Sequence, residues 1–519
     1  MPYQRELVTQ LRSRLQEPRQ FIQIVVGPRQ TGKTTAVSQA LEDIHTPKHF
    51  VSADDPALTS QAWLKNEWEQ ARLLSARTND GAILVVDEIQ KIPEWSSVVK
   101  LMWDEDTRLG NSLKVVLTGS SALLLKKGMS ESLMGRFELL YSPHWNLQEC
   151  SEAFGYTLEE FLYFGGYPGA ASQRSDIDRW RRYMSTSIIE PTISQDVLQL
   201  ESIRKPTLMR ALFYVGAAYS GQELSYVKLL GQLQDAGNTV TLAHYLELLE
   251  RAGMLCGLEK FTHEKVRQRK SSPRFMVYDT SLMVLAADTM PTQAIEDSIF
   301  RGHLAESAVG AYLLARSQEE GFKVYYWRDR NHEVDFVLQK GTSITALEIK
   351  SGRVQGTAGT LAFLDRHPQA LSYVVGSKTC PLEEFLLGQV ELFKLEKKPL
   401  EALPPSTTEI VGAFRDYISE RAAAGVLLAQ VVSGVVYNKR MVQVTFDPAS
   451  KGIDTEVLLG VSPFSNLAEF AGTPIAFNDS LGKRLRPEID AVETFLADGT
   501  NLGRLSTAEL YQMGTGEAL

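Results

Sequence analysis

The chain has 519 residues, too many for a single hydrophobic core, and that length points to about three or four domains. Its 44% hydrophobic and 23% charged residues are those of a folded globular protein, which excludes disordered and collagen-like classes. The formal net charge of −9 excludes a surface that attracts nucleic acid everywhere, so any such contact has to be local.

No run approaches the roughly 18 uninterrupted apolar residues of a membrane-spanning helix, and the opening MPYQRELVTQLRSRL is too polar for a signal peptide. A cytoplasmic protein without membrane contact is expected. Cys150, Cys256 and Cys380 are odd in number and far apart, as ordinary buried thiols in a reducing compartment would be.

Residues 21–170 alternate β-branched runs with amphipathic segments, the pattern of a parallel sheet with crossover helices. The buried strands read as FIQIVVG, KHFVSA, AILVVDE and LKVVLTG. The first leads into Gly27-Pro28-Arg29-Gln30-Thr31-Gly32-Lys33-Thr34, a full G-x-x-x-x-G-K-[ST] motif followed by the helix TTAVSQALEDI. In that context an accidental glycine-rich turn is a poor explanation. The glycines let successive backbone N–H groups curl toward phosphate oxygens, and the following helix adds its positive end. Gly27 to Thr35 should therefore bind ATP, with Lys33 neutralising the β- and γ-phosphates and Thr34 placing its hydroxyl on Mg2+.

The strand AILVVDE runs through apolar residues and ends in Asp87 and Glu88. Burying two acids without a cation is costly, so Asp87 is read as an outer ligand of Mg2+ and Glu88 as the residue that orients or deprotonates the attacking water. The strand LKVVLTGSS would bring Thr118 or Ser120 to the same sheet edge as a sensor of the γ-phosphate.

Beyond residue 155 the periodicity turns helical. Ser220 to Leu258 reads as three short helices, the last capped by Asn238 and Thr239 and ending at Gly253. A strand follows, then a segment holding Lys265, Arg267, Arg269, Lys270 and Arg274. Three helices and a strand pair with a cationic tip is the layout of a winged helix, in which these five side chains would grip the phosphates of nucleic acid, with DNA the expected form. A solvated loop in a protein-contacting domain fits the same residues equally.

Residues 301–395 return to mixed character: the helix HLAESAVGAYLLARSQEEG, then strands KVYYWR, EVDFVLQ, ITALEIK and LSYVVG. Glu306, Asp335, Glu348 and Lys350 line up as the skeleton of a PD-(D/E)xK nuclease fold. Strand residues two apart face one side, so Glu348 and Lys350 project together, and an antiparallel neighbour can bring Asp335 alongside. Glu306, Asp335 and Glu348 would hold a second Mg2+, while Lys350 orients or deprotonates water for attack on a phosphodiester. The spacing is short and common, and fused nuclease folds can persist as inert scaffolds, so cleavage and inert binding both stay open.

Consecutive prolines in Leu403-Pro404-Pro405-Ser406 mark a linker. Beyond it, EIVGAFRDYISERAAAG reads as a helix and VLLAQVVSGVVYNKRMVQVTFDP as a strand pair turning near Tyr437 to Arg440. No motif marks this segment, which is read as an accessory α+β domain for a protein partner.

The P-loop, the VVDEIQKIPEW segment, the TGSSA strand and the later LMGRFELLYSPHWNLQEC together resemble the AAA-type bacterial and archaeal ATPases that carry a C-terminal domain of unknown function, DUF4143, and the similarity spans residues 1–395. The resemblance implies a winged helix before a restriction-endonuclease-type domain. It also implies an arginine after the sensor strand that reaches into a neighbouring subunit of a homo-oligomer, the place Arg136 occupies here. A surface arginine paired with Glu138 or Glu149 is the other reading of that residue.

The expected architecture is multidomain α/β: a P-loop AAA-type parallel sheet over 1–155, a helical and winged-helix domain over 156–300, a PD-(D/E)xK-like α/β domain over 301–400, and an α+β domain over 406–519. The expected function is Mg2+-dependent binding and hydrolysis of ATP that powers or regulates a nucleic-acid-directed, nuclease-like effector. The alternative is an ATP-switched DNA-binding regulator, or a protein scaffold with an inert nuclease-like fold.

Overall fold

The computed structural model describes residues 3–54, 60–78, 80–119, 133–197, 203, 205–233, 238–262, 271–350 and 358–393, with the backbone of four strands between 430 and 469. The chain divides into two compact units, 1–394 and 395–519.

In the first unit, helix α1 (Glu6–Gln16) precedes β1 (Ile22–Val26), α2 (Lys33–Glu42), β2 (Lys48–Ser52), α3 (Gln61–Ser75), β3 (Ala82–Asp87), α4 (Trp95–Leu109), β4 (Leu113–Gly119) and β5 (Phe137–Tyr141). The strands form one parallel sheet in the order β2-β3-β4-β1-β5. Their side chains alternate between two cores, as strand geometry requires. Ile22, Ile24, Val26, Leu84, Val86, Val115 and Leu117 face Leu64, Trp68, Val99 and Trp103 of α3 and α4. Val25, Ile83, Val85 and Val116 face Leu7, Val8, Leu11, Ala36, Val37 and Ala40 of α1 and α2. Covering both faces explains why β1 and β3 are apolar almost throughout, each buried Val, Leu or Ile contributing about 1.5–3 kcal/mol.

Two details differ from expectation. β2, read as a buried strand, is the edge of the sheet, and its residues are half-buried or exposed. β5, in a stretch not read as a strand, adds the opposite edge beside β1.

Helices α5 (Leu147–Phe154), α6 (Leu158–Phe164), α7 (Pro168–Ala171) and α8 (Ile177–Tyr183) follow, and α8 continues into π-helical stretches at Met184–Ile189 and Thr192–Val197. Next come α9 (Pro206–Ala218), α10 (Tyr226–Gln232) and α11 (Thr239–Arg251), then the antiparallel pair β6 (Leu255–Leu258) and β7 (Arg274–Val277). Asn238 caps α11 through its side chain, as read. Between Ser220 and Leu258 there are two described helices where three were expected; the first of the trio, α9, lies before Ser220.

Helices α12 (Thr280–Ala286), α13 (Pro291–Glu296) and the long α14 (Ser298–Glu320) lead to β8 (Lys323–Asp329), β9 (His332–Lys340), β10 (Ser343–Ile349), α15 (Ala358–Arg366), β11 (Leu371–Val375) and α16 (Leu382–Leu386). Their sheet runs β11-β10-β9-β8, antiparallel except for the parallel β10–β11 pair. All three cysteines are buried and free. Among the described residues no helix is long and apolar enough to cross a membrane.

In the second unit, β12 (Gln430–Tyr437), β13 (Met441–Asp447), β14 (Leu458–Val461) and β15 (Ala468–Glu469) form an antiparallel sheet in chain order. β12 and β13 pair up to Tyr437 and Met441, and residues 438–440 of the turn read there lie outside the described residues. The linker at 403–408 and the helix read from EIVGAFRDYISERAAAG lie outside the described residues.

Candidate functional site

β1, β4 and β3 lie side by side, so the residues leaving their C-terminal ends meet at one edge, where parallel sheets place ligands. Gly27 to Gly32 curls there from β1 into α2. A side chain at Gly27 would bring a Cβ within 2.1 Å of the Ser142 carbonyl oxygen, so only glycine lets the loop lie on the chain leaving β5. Gly32 has φ +87° and ends the loop at the first turn of α2. Pro28 and Arg29 are half-buried, Gln30, Thr34 and Thr35 are exposed, and Thr31 is buried.

Lys33 is buried, with its ammonium donating to the carbonyls of Gly27 (3.0 Å) and Pro28 (2.5 Å). Across from it, Asp87 ends β3 at 6% exposure. Its carboxylate accepts from the Thr34 hydroxyl at 3.1 Å and from the Thr118 hydroxyl. Thr34 and Asp87 thus form a pair of hard oxygen donors beside a lysine, the donor set that suits Mg2+ carrying phosphate oxygens. Glu88 follows with φ +55°, a left-handed conformation unusual for a residue with a side chain, and its carboxylate accepts from the Gln90 amide at 2.6 Å. Burial pushes the Glu88 carboxyl up from its ordinary range, against the pull of the Lys33 charge. Ser120 lies outside the described residues.

Residues with no local signal support the loop from behind. Arg5 is buried and makes a two-pronged pair with Glu149, Nε to Oε1 at 2.7 Å and Nη2 to Oε2 at 3.1 Å. Its Nη1 donates to the Thr31 carbonyl at 3.2 Å and to the Ser142 hydroxyl at 3.1 Å. The Trp145 indole donates to the same Thr31 carbonyl at 3.0 Å. Asn146 and Glu149 cap α5 reciprocally, which fixes the carboxylate that Arg5 meets. His144 is buried beside them, its Nε2 without a hydrogen-bond partner among the described residues. Burial first, then the charges of Arg5 and Lys33, push its pKa down to about 3. From the helical part, the Tyr183 hydroxyl donates to the Gln30 side chain at 2.6 Å, and the Gln30 amide donates to the Ser187 carbonyl at 3.3 Å.

Arg136 donates to Asp104 of its own chain at 2.6 and 3.0 Å. Neither carboxylate named for it from sequence is its partner: Glu138 meets Gln23 and Glu149 meets Arg5.

The second cluster assembles differently from the reading. Glu306 on α14 and Asp335 on β9 do come together, but around the guanidinium of Arg274. Arg274 is 4% exposed, so it does not project from a wing to grip phosphates; β7 carries it inward. Lys265, Arg267, Arg269 and Lys270 lie outside the described residues. Glu348 is held by the Thr360 hydroxyl at 2.7 Å and pairs with Lys350 at 2.8 Å, confirming that the two project together. Among the described residues no group of three or more His, Cys, Asp or Glu side chains converges as a metal site. Glu306, Asp335 and Glu348 therefore do not fit the second Mg2+ expected of them, because a guanidinium already lies between the first two. Burial pushes the Glu306 and Asp335 carboxyls upward, and the neighbouring Arg274 charge pulls each back toward the ionised form.

A parallel sheet with a glycine-lined loop after β1, a buried lysine and an acid at the end of β3 defines a P-loop nucleotide-binding fold. Residues 19–151 match the family model of an AAA domain, residues 155–293 a domain of unknown function, DUF8612, and residues 301–384 the domain of unknown function DUF4143. The chain thus carries an AAA domain followed toward its C-terminal side by a DUF4143 domain. It is similar to an uncharacterized protein of Methanocaldococcus jannaschii, 23% identical over 343 residues, which are 61% of this chain and 72% of the relative. Among solved structures it is similar to the Holliday junction branch migration motor RuvB of Thermotoga maritima, at 17% identity and TM-score 0.27, covering 52% of this chain and 95% of that one. It is also similar to the Aeropyrum pernix Orc1 protein in complex with DNA, at 12% identity and TM-score 0.26, covering 58% of this chain and 94% of that one.

Proposed function

We propose that the chain binds and hydrolyses ATP at the edge where Gly27 to Thr35 meets Asp87 and Glu88, and that nucleotide state regulates the helical and nuclease-like parts of the same chain in the cytoplasm. The observation that carries this is the contact of Thr34 Oγ1 with Asp87 at 3.1 Å, which joins the end of β3 to the first turn of α2, where Lys33 is buried against the loop carbonyls. Backbone N–H groups of the loop and the N-terminal end of α2 would hold the triphosphate, and Lys33 would turn from the loop carbonyls to the phosphates. Thr34 and Asp87 would hold Mg2+, which when bound would supply charge neutralisation on the phosphate oxygens. Glu88, set apart by its left-handed backbone, would orient or take a proton from the attacking water. Thr118, bonded to Asp87, or Ser120, two residues further on, would register loss of the γ-phosphate.

Arg136 is proposed to act on a neighbouring subunit of a homo-oligomer. Its pair with Asp104 is about one-third exposed on both sides and so worth about 0–1 kcal/mol, little to give up on reaching another partner. The proposed parts are 1–155 for the ATPase, 156–300 for the helical and winged-helix part, 301–400 for the PD-(D/E)xK-like part and 406–519 for an accessory domain with a protein partner. The order α9, α10, α11, β6, β7 supports the winged helix, and α14, β8, β9, β10, α15, β11 supports the nuclease-like fold. Contact with DNA would fall to Lys265, Arg267, Arg269 and Lys270, without Arg274. Of the readings for the nuclease-like part, the inert scaffold is favoured by the Arg274 contacts.

Nucleotide binding and turnover in wild type, Lys33→Ala and Glu88→Gln, with Mg2+ or with chelator, tests the proposal. Lys33→Ala should lose binding, while Glu88→Gln should bind and slow turnover by about 10²–10⁴-fold. Equal turnover in wild type and Lys33→Ala would overturn it.

A further inference from the structure

We infer that Arg274 is the resident cation of the acidic cluster, so that Glu306 and Asp335 latch the helical part to the nuclease-like sheet and take up no divalent metal. The inference narrows the role of the nuclease-like part in the proposed function and does not depend on hydrolysis at the P-loop.

The guanidinium is engaged on every edge. Its Nε donates to the Gly221 carbonyl at 2.9 Å, and its Nη1 points to the Asp335 carbonyl at 3.4 Å. Its Nη2 lies 2.5 Å from Glu306 Oε1, 3.3 Å from Asp335 Oδ1 and 3.4 Å from Glu333 Oε1. The Glu306 contact is an ion contact, and among the described residues Oε1 has no hydrogen-bond partner. Mg2+ demands oxygen ligands at about 2.0–2.1 Å in near-octahedral array. An ion bridging Glu306 and Asp335 would have to share their facing oxygens with Nη2, cation against cation.

The arginine is also not free to swing away. Arg274 opens β7, where it pairs in register with Leu258 of β6 and bridges Glu223 on its other side. Phe275 next to it exchanges backbone hydrogen bonds with Gln222 and Gly221, at 3.0 and 2.8 Å. Gly221 itself has φ +80°, and a Cβ there would sit 3.2 Å from the Glu306 carboxylate. Backbone as well as guanidinium closes the cluster.

The remaining members are already satisfied. Asp335 Oδ2 accepts from the Ile349 backbone at 2.8 Å, and Glu348 is divided between Thr360 and Lys350. Lys350 thereby neutralises a carboxylate. Arg274 belongs to the stretch matched by one family model and its carboxylate partners to the stretch matched by the next, so these contacts join two modules.

Two measurements on the full chain test this. Mn2+ titration followed by electron paramagnetic resonance, with and without ADP, should find a bound ion only with nucleotide, and Glu306→Gln and Asp335→Asn should leave both titrations unchanged. A nucleotide-independent ion that disappears in Asp335→Asn would overturn the inference. Loss of the nucleotide-dependent ion alone would instead strike the P-loop reading and leave the latch standing. In denaturant unfolding, Arg274→Met should lower the midpoint by stranding two buried carboxylates, and adding Glu306→Gln and Asp335→Asn should recover most of the loss. An Arg274→Met protein as stable as wild type would also overturn it.

Discussion

Arg5 and Glu149 meet at 2.7 Å although 144 residues separate them, both nearly buried, and the same guanidinium holds the Thr31 carbonyl inside the P-loop. The pair ties the entry of α1 to the cap of α5 and steadies the loop from the side away from the phosphates. Breaking a buried pair by removing one partner costs about 3–5 kcal/mol, because the other charge is left uncompensated. Arg5→Met should destabilise the protein by that order and weaken nucleotide binding. Adding Glu149→Leu should recover stability better than affinity, since the Thr31 contact stays lost. Denaturant unfolding and nucleotide titration on both variants check this, and an Arg5→Met protein with unchanged affinity would contradict it.

Gln30 couples the P-loop to the π-helical stretch after Tyr183. It has φ +59°, accepts from the Tyr183 hydroxyl and donates to the Ser187 carbonyl. Helices with π geometry are strained and frequently functional. Closing the loop on phosphate should therefore be felt at residues 184–197. Tyr183→Phe removes one hydrogen bond of about 0.5–1.5 kcal/mol and should change nucleotide affinity by no more than about tenfold. It should also reduce the protection from hydrogen exchange that nucleotide confers on residues 184–197. Protection of equal size in both proteins would uncouple the two elements.

His144 sets an acid sensitivity. Its ordinary pKa of 6.5 falls to about 3 in the folded protein, chiefly through burial. Below 6.5 the unfolded chain takes a proton that the folded chain refuses, so the contribution of His144 to stability is intact above 6.5 and is lost as pH falls toward 3. The slope is about 1.4 kcal/mol per pH unit at most. His144→Leu should flatten the pH dependence of unfolding between 6.5 and 4.5 relative to wild type. Parallel profiles would show that His144 titrates normally.

Much of the nucleotide site was legible in the chain itself. A P-loop is a contiguous segment whose glycines, lysine and threonine act through their own backbone, and Asp87 and Glu88 end a strand whose unbroken apolar run already says it is buried on both faces. Alternation likewise placed Glu348, in β10, and Lys350, just beyond its end, on one side. What the chain could not declare was the partner of each charge. Ser142 and Trp145 reach the P-loop because β5 lies beside β1, Arg5 because α1 packs against α2, and Arg136 meets Asp104 because α4 packs under the sheet. Arg274 reads as one cation among five in a basic stretch, yet the register of β7 with β6 turns it inward onto Glu306 and Asp335. Local sequence determines which backbone can cradle a phosphate, because that is a property of neighbouring residues. Whether an acidic cluster receives a metal ion or a guanidinium is decided by which distant strand is folded against it.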